Sequence, residues 1–304
     1  MDEATSLEAG AEQTAFFPER IILAPEERRP TVLGLIRSAR TRLLLSVFRC
    51  DDFKVLDELA EARRRNVQVQ VVLTRHAKGW KKRLKELQAF LEAMGAEVHR
   101  YSGRLAKYHA KYAVADEGPA LVASLNFTHK CFRSTCDFLL LTHDPEVIAG
   151  LKKLFEADFR SREFAFPEGI SDRLIIAPEQ ARARLDGLLQ QARRTIHIID
   201  HRVTDPEMLA LLRDKRSQGV EVTVLGRGGL ADLLPHGKMI LVDESTAVIG
   251  SISLSRSSLD FRREVGVLVR DPLCIRQLEE FFQRLAATRT VETPALPSPQ
   301  DSAS

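Results

Sequence analysis

The segment HGKMILVD (236–243) sets a histidine and a lysine two residues apart, with an aspartate five residues beyond the lysine. HAKYAVAD (109–116) repeats the arrangement. Behind each lies a short polar set: Ser124 and Asn126 after the first, Ser251 and Ser253 after the second. Side chains alternate along a strand, so His109 and Lys111 are expected on one face, as are His236 and Lys238. Two such faces brought together suit a phosphodiester. Ammonium groups bind non-bridging phosphate oxygens as point charges. Ser124, Asn126, Ser251 and Ser253 would add directed hydrogen bonds to the charge that builds on the equatorial oxygens. One imidazole, neutral near pH 7, can attack phosphorus while the other, protonated, donates to the leaving oxygen. The intermediate is then a phosphohistidine, opened by water or an alcohol. Asp137 and Glu264 follow their histidines at the same spacing. A carboxylate there would accept the ring's second N–H and fix its tautomer. Asp116 and Asp243 fall at strand ends on the opposite parity from the histidines and read as structural.

The chain repeats more than its histidines. RIILAPEE at Arg20 returns as RLIIAPEQ at Arg173, an offset of 153 that also carries Asp52 onto Asp205 and Asn66 onto Gly219. From His109 to His236 the offset is 127, and it also carries Ser124 onto Ser251 and Asp144-Pro145 onto Asp271-Pro272. Two copies of one unit follow, the second shorter between its middle strand and its HxK segment. The expected division is a disordered tail over 1–14, a first lobe over 15–166, a second over 167–289 and a disordered tail over 290–304. His76-Ala77-Lys78 also fits HxK but has Arg83 where the aspartate belongs and no serine set behind it, so it reads as solvated surface.

The elements that must position these residues alternate between types. RLLLSVF (42–48) reads as a buried strand, VQVQVVL (67–73) as an alternating one, and Leu84, Leu87, Leu91 and Met94 share a helix face. Helices are expected over Glu26–Arg40, with Pro30 confined to the first turn, and over 53–65 behind an aspartate cap at Asp51 or Asp52. The HxK segments read as strands, and copy two lacks the helix and strand of 79–101. This is an α/β layered fold.

Composition narrows the class. A chain of 304 residues, 44% apolar and 29% charged, supports a real core. A net charge of +3 is too mild to mark a nucleic-acid binder, so any basic footprint is local. The four cysteines have no metal-ligand spacing and read as buried thiols. The acidic start and the absence of a long apolar run lead to the expectation of a cytoplasmic protein, with peripheral membrane contact open.

These residues resemble the phospholipase D superfamily, whose motif is HxK, four residues, Asp, six residues and Gly-Ser-x-Asn. Copy one reads H-A-K-YAVA-D-EGPALV-A-S-L-N and copy two H-G-K-MILV-D-ESTAVI-G-S-I-S. The resemblance spans roughly 15–289. It implies two pseudo-symmetric α/β/α lobes with one active site at their interface, no metal, no cofactor and no need of an oligomer to complete the site. Ala123 departs from the family glycine and Ser253 from the asparagine.

The substrate is less legible. RHAKGWKKRLK (75–85) holds six Lys or Arg and the only tryptophan, Trp80. It suits an anionic membrane surface or stacking on a nucleic-acid base. Lys130, Arg133, Arg256, Arg262 and Arg263 extend the basic field. The favoured reading is a phospholipase D-type hydrolase or phosphatidyltransferase acting on phospholipid. A DNA or RNA endonuclease is the alternative, and a non-enzymatic phosphate-binding module the third. The fuller first motif favours His109 as nucleophile.

Overall fold

The computed structural model describes residues 19–103, 105, 107–161, 170–226, 230 and 232–288. The two expected tails and the expected boundary between 166 and 167 lie outside the described residues.

The first half runs β1 (Glu19–Ile22), α1 (Pro25–Ser38), β2 (Arg42–Val47), α2 (Phe53–Arg64), β3 (Gln68–Leu73), α3 (Lys81–Ala93), β4 (Glu97–Arg100), β5 (Lys107–Tyr108), β6 (Tyr112–Ala115), β7 (Ala120–Ala123), β8 (Thr135–Cys136), β9 (Leu139–Thr142) and α4 (Pro145–Phe159). The second runs β10 (Leu174–Ala177), α5 (Ala181–Gln190), β11 (Thr195–Ile199), α6 (Pro206–Ser217), β12 (Glu221–Leu225), β13 (Leu234–Pro235), β14 (Met239–Val242), β15 (Thr246–Gly250), α7 (Arg256–Phe261), β16 (Arg262–Val269) and α8 (Pro272–Ala287). One sheet is ordered β1-β9-β7-β6-β2-β3-β4 and the other β10-β16-β15-β14-β11-β12. The second order is the first without its last strand, as the shorter second copy demands.

Strand alternation builds the layers. Leu43 and Leu45 of β2 face an outer core with α1, α2 and α3, whereas Leu44 faces an inner core. That inner core joins both sheets through α4 and α8, with Leu151, Phe155, Leu278 and Phe282 fully or nearly fully buried. A third core lies under α5 and α6. Strands covered on both faces need near-continuous apolar sequence, which RLLLSV and MILV supply. The duplicated caps recur in place. Asp52, Asp144, Asp205 and Asp271 accept first-turn N–H groups, and all but Asp52 are followed by proline, whose missing N–H costs nothing there. α1 starts at Pro25, so Pro30 sits a turn deeper than expected and leaves the Glu26 carbonyl without its helical donor.

The halves are tied by a reciprocal exchange of short strands. β5, just before His109, pairs with the start of β16, Lys107 opposite Arg262 and Tyr108 opposite Arg263. β13, just before His236, pairs with β8, Leu234 opposite Thr135 and Pro235 opposite Cys136.

Candidate active site

The exchange decides where each histidine goes. The HxK residues are not inside strands as expected; they form the approach to β6 and β14. The reason is the crossing: the His109 N–H donates 2.8 Å to the Arg263 carbonyl and the Gly237 N–H 2.6 Å to that of Cys136, both in the opposite half. The next residues on those crossing segments are Glu264 and Asp137. Each carboxylate therefore meets the histidine of the other copy. His236 Nδ1 lies 2.8 and 3.0 Å from the two Asp137 oxygens, and His109 Nδ1 lies 3.1 Å from Glu264 Oε2. A carboxylate only accepts, so both rings carry the proton on Nδ1 and leave Nε2 for chemistry.

The lysines close the arrangement. Lys111 Nζ turns back 2.5 Å to the carbonyl of His109, and Lys238 Nζ bonds that of His236. Both are buried. Lys111 and Lys238 each act electrostatically on both histidines or their carboxylates, so the two half-sites share one field.

The serines stand elsewhere than expected. Ser124 is fully buried, donating 2.6 Å to Asp137 Oδ1 and accepting from the Phe138 N–H. Ser251 is also fully buried and accepts from the Val265 N–H at 3.1 Å. Ser253 donates 2.8 Å to Asp200 Oδ2. All three hydroxyls are committed to the carboxylate strands or to Asp200, so they brace the frame instead of facing a ligand. Asn126 differs. Its Nδ2 lies 3.5 Å from His236 Nε2, and its buried Oδ1 has no partner among the described residues. Half a turn of that amide would set Oδ1 against Nε2 and serve the protonated ring.

Asp116 and Asp243 hold backbone. Asp116 accepts from the N–H groups of Arg40, Thr41 and Arg42, and Asp243 from those of Arg193, Arg194 and Thr195. Each pins the turn entering β2 or β11. The departures have local causes. Gly250 takes φ 155°, where a Cβ would fall 2.2 Å from the Val265 carbonyl oxygen, whereas Ala123 takes no positive φ and fits. Ser253 is matched to Asp200, where copy one has Val47.

Burial sets the titration. It holds His109 well below the usual imidazole range, and Lys111, Lys238, Lys107 and Arg262 add to the effect. Burial also lowers His236, but Asp137 pulls it back up. Burial works against the Asp137 carboxylate too, yet the His236 charge and hydrogen bonds from His236, Ser124 and Thr135 bring it to about 2. Glu264 is raised by burial, against the pull of Lys111, Lys238 and Arg262.

Sequence reasoning missed the rings beside the histidines. Phe48 meets His109 edge-on at 4.5 Å, and His201 lies nearly parallel to His236 at 6.4 Å. The 153 offset relates Phe48 to His201, a signal that was available. It also missed Arg28, fully buried, which donates to the carbonyls of Leu23, Cys131, Thr135 and Asp137 and so fixes the segment that carries Asp137. Arg263 is a correction. Rather than extending a basic surface, it is buried against Asp158 at 3.1 Å and Glu179 at 2.6 Å. Lys130, Arg133 and Arg256 are exposed. Trp80 is half-buried and lies between the guanidinium groups of Arg49 and Arg83, 5.3 and 5.2 Å from its ring. His76 and Lys78 are solvent-exposed. All four cysteines are buried thiols.

Cys131, Asp137 and His236 each place a donor atom within 4.8 Å of the others. The Asp137 oxygens are already taken by His236, Ser124 and Thr135, and Arg28 brings a cation against the same segment, so the group is satisfied without an ion. Among the described residues no helix is long and apolar enough to cross a membrane.

Comparison with known proteins gives the family and the fold. The family model described as cardiolipin synthase, PLD-like domain, matches residues 32–159 and 229–286, more than half of the chain. No curated protein matches significantly. Polyphosphate kinase from Porphyromonas gingivalis superposes with TM-score 0.71 at 17% identity over 87% of this chain, which spans only 46% of that longer one. Phosphatidylserine synthase from Haemophilus influenzae Rd KW20 superposes with TM-score 0.69 at 13% identity over 88% of this chain and 86% of its own. Those likenesses establish the fold, and the family match, which contains both HxK segments, establishes that the chain belongs to the phospholipase D superfamily, in the family of cardiolipin synthase, PLD-like domains.

Proposed function

We propose that the protein is a metal-independent phosphodiesterase of phospholipase D type that hydrolyses or transfers a phosphatidyl group. The observation that carries this reading is the crossed pairing of His109 with Glu264 and His236 with Asp137, which sets two Nδ1-protonated imidazoles in one field with two buried lysines.

His109, held neutral, attacks phosphorus through Nε2. An N–P bond forms, the P–O bond to the leaving group breaks, and the proton on His236 Nε2 passes to the leaving oxygen. Water or an alcohol then gives its proton to His236 and attacks phosphorus, and the N–P bond breaks. Asp137, ionised down to about pH 2, stabilises the His236 imidazolium that the first step needs. Lys111, Lys238 and Asn126 contact the phosphate oxygens.

Phospholipid is favoured by two exposed apolar side chains beside the site. Leu234 stands two residues before His236, and Phe261 immediately before Arg262. Both would lie along acyl chains or in an interface. The test is a substrate panel in EDTA: short-chain and vesicular phospholipids against single- and double-stranded DNA and RNA. Release of a lipid headgroup, undiminished by EDTA, is expected. Cleavage of nucleic acid alone would move the assignment to an endonuclease.

A further inference from the structure

We propose that Arg49, Lys107, Arg202 and Arg262 form a second anion subsite at the mouth of the catalytic centre, which binds a further phosphate group carried by the substrate beside the scissile one. The subsite deepens the phosphodiesterase reading and rests on it for its place in the reaction.

The 153 offset that relates Asp52 to Asp205 relates Arg49 to Arg202. Backbone bonds repeat with it: the N–H groups of Asp51 and Asp52 reach the Phe127 carbonyl, and those of Thr204 and Asp205 reach that of Leu254. The two arginines therefore occupy equivalent places at the ends of β2 and β11. Each directly follows the ring that lies against a catalytic histidine, Phe48 on His109 and His201 on His236. Duplication has put one guanidinium beside each.

Lys107 and Arg262 stand directly opposite each other across the β5–β16 pair. Like charges so placed repel, and a fold gains nothing by keeping them. Lys107 Nζ and the Arg49 guanidinium also share one ring, 4.7 and 5.1 Å from the centre of Phe48. Arg49, Lys107 and Arg202 have no carboxylate partner among the described residues, and Arg262 reaches only Glu264, at 3.8 Å, which already serves His109. Burial first, and then the charges of Arg262, Arg49 and Arg202 against the pull of Glu264, bring the Lys107 ammonium down to about 8, so these cations feel one another.

Inside, Lys111 and Lys238 face Asp137 and Glu264, two against two. The rim adds four cations. A single phosphodiester brings one negative charge and leaves most of the rim unanswered. A phosphomonoester or a second diester next to the scissile group answers it, with guanidinium forks matched to phosphate oxygens. A lipid with a phosphorylated headgroup and a nucleotide chain both present this chemistry.

The experiment uses matched pairs that differ by one phosphate. Binding of glycerol 1,3-bisphosphate and glycerol 1-phosphate is measured by calorimetry on wild type, Arg202→Gln and the double variant Arg49→Gln/Arg202→Gln. Turnover is compared for dihexanoyl phosphatidylglycerol with and without a headgroup phosphate, and for a dinucleotide with and without a terminal phosphate. Wild type is expected to favour the bisphosphate at least tenfold, and the double variant to lose that preference to within twofold. The substrate pair that shows the same preference in kcat/KM names the source of the second phosphate. Equal binding of the two glycerol phosphates by wild type, or a preference that survives both variants, overturns the subsite. Should Arg49→Gln unfold the chain, Arg202→Gln, at an exposed position, carries the test alone with a loss of at least threefold expected. A bisphosphate preference that depends on the arginines, without turnover of any lipid or nucleotide, would leave the subsite standing and remove the catalytic reading instead.

Discussion

The two half-sites have the same frame and different furniture. Both bind a histidine Nδ1 to a carboxylate from the opposite half, turn a lysine onto the histidine's own carbonyl, and anchor an aspartate on three successive backbone N–H groups. What lies around the rings diverges. His236 has the shorter bond, to an aspartate that also receives Ser124 and Thr135; His109 has the longer bond, to a glutamate raised by burial. Phe48 packs on one ring and His201 on the other. Asn126 survives in one half, while the other has exchanged it for Ser253 held by Asp200. The lesson is that duplication preserves the frame around the two rings while their electrostatics drift: burial lowers both imidazoles, and at His236 alone Asp137 pulls part of the way back.

The sharpest way to break that comparison is to delete each ring in turn. His109→Ala and His236→Ala should each lower steady-state turnover by about 10³-fold or more, with the double variant little worse because the pair acts as a unit. With a nitrophenyl diester, whose leaving group needs no acid, His236→Ala should still give one burst of nitrophenol and a phosphohistidine on residue 109. His109→Ala should give neither. A burst from His109→Ala would reverse the assigned roles.

Removing the carboxylates sharpens it further. Burial lowers the His236 pKa and Asp137 opposes that fall; in the proposed mechanism His236 acts protonated, so activity is expected to fall as pH rises through that value. Asp137→Asn should therefore move the alkaline limb of the kcat profile to lower pH and cost about 10²-fold near neutrality. Glu264→Gln should cost about tenfold and leave the alkaline limb in place. Equal effects on that limb from the two variants would mean that the half-sites are equivalent.

The smallest effect concerns the exchanged asparagine. Ser253→Asn restores the first half's residue but not its Val47, and forces a larger amide against buried Asp200. The melting temperature should drop by an amount equivalent to about 1–3 kcal/mol. An unchanged melting curve would show that Asp200 does not constrain this position.

Much of this was legible in the chain. Matched landmarks at two fixed offsets gave the duplication, the α/β class and the missing helix and strand of copy two, because periodic burial and capping are written locally at Asp52, Asp205 and the apolar strands. The direction of the serines was not, since Ser124 and Ser251 alternate with the right parity but are consumed by strand neighbours that only folding brings close. The crossing was not legible either. It depends on two-residue pairs, Lys107-Tyr108 with Arg262-Arg263 and Leu234-Pro235 with Thr135-Cys136, too short to leave a pattern. Arg263 looked like surface because its partners, Asp158 and Glu179, lie far away in sequence.

The swapped short strands have a further consequence for inheritance. A substitution at residue 264 is felt at residue 109, and one at 137 is felt at 236, so neither copy can be repaired, exchanged or lost by itself. Separated from the other, each half would keep its histidine without the carboxylate that holds its Nδ1 here. Joining them in one chain keeps the lender and the borrower at a fixed ratio through every generation.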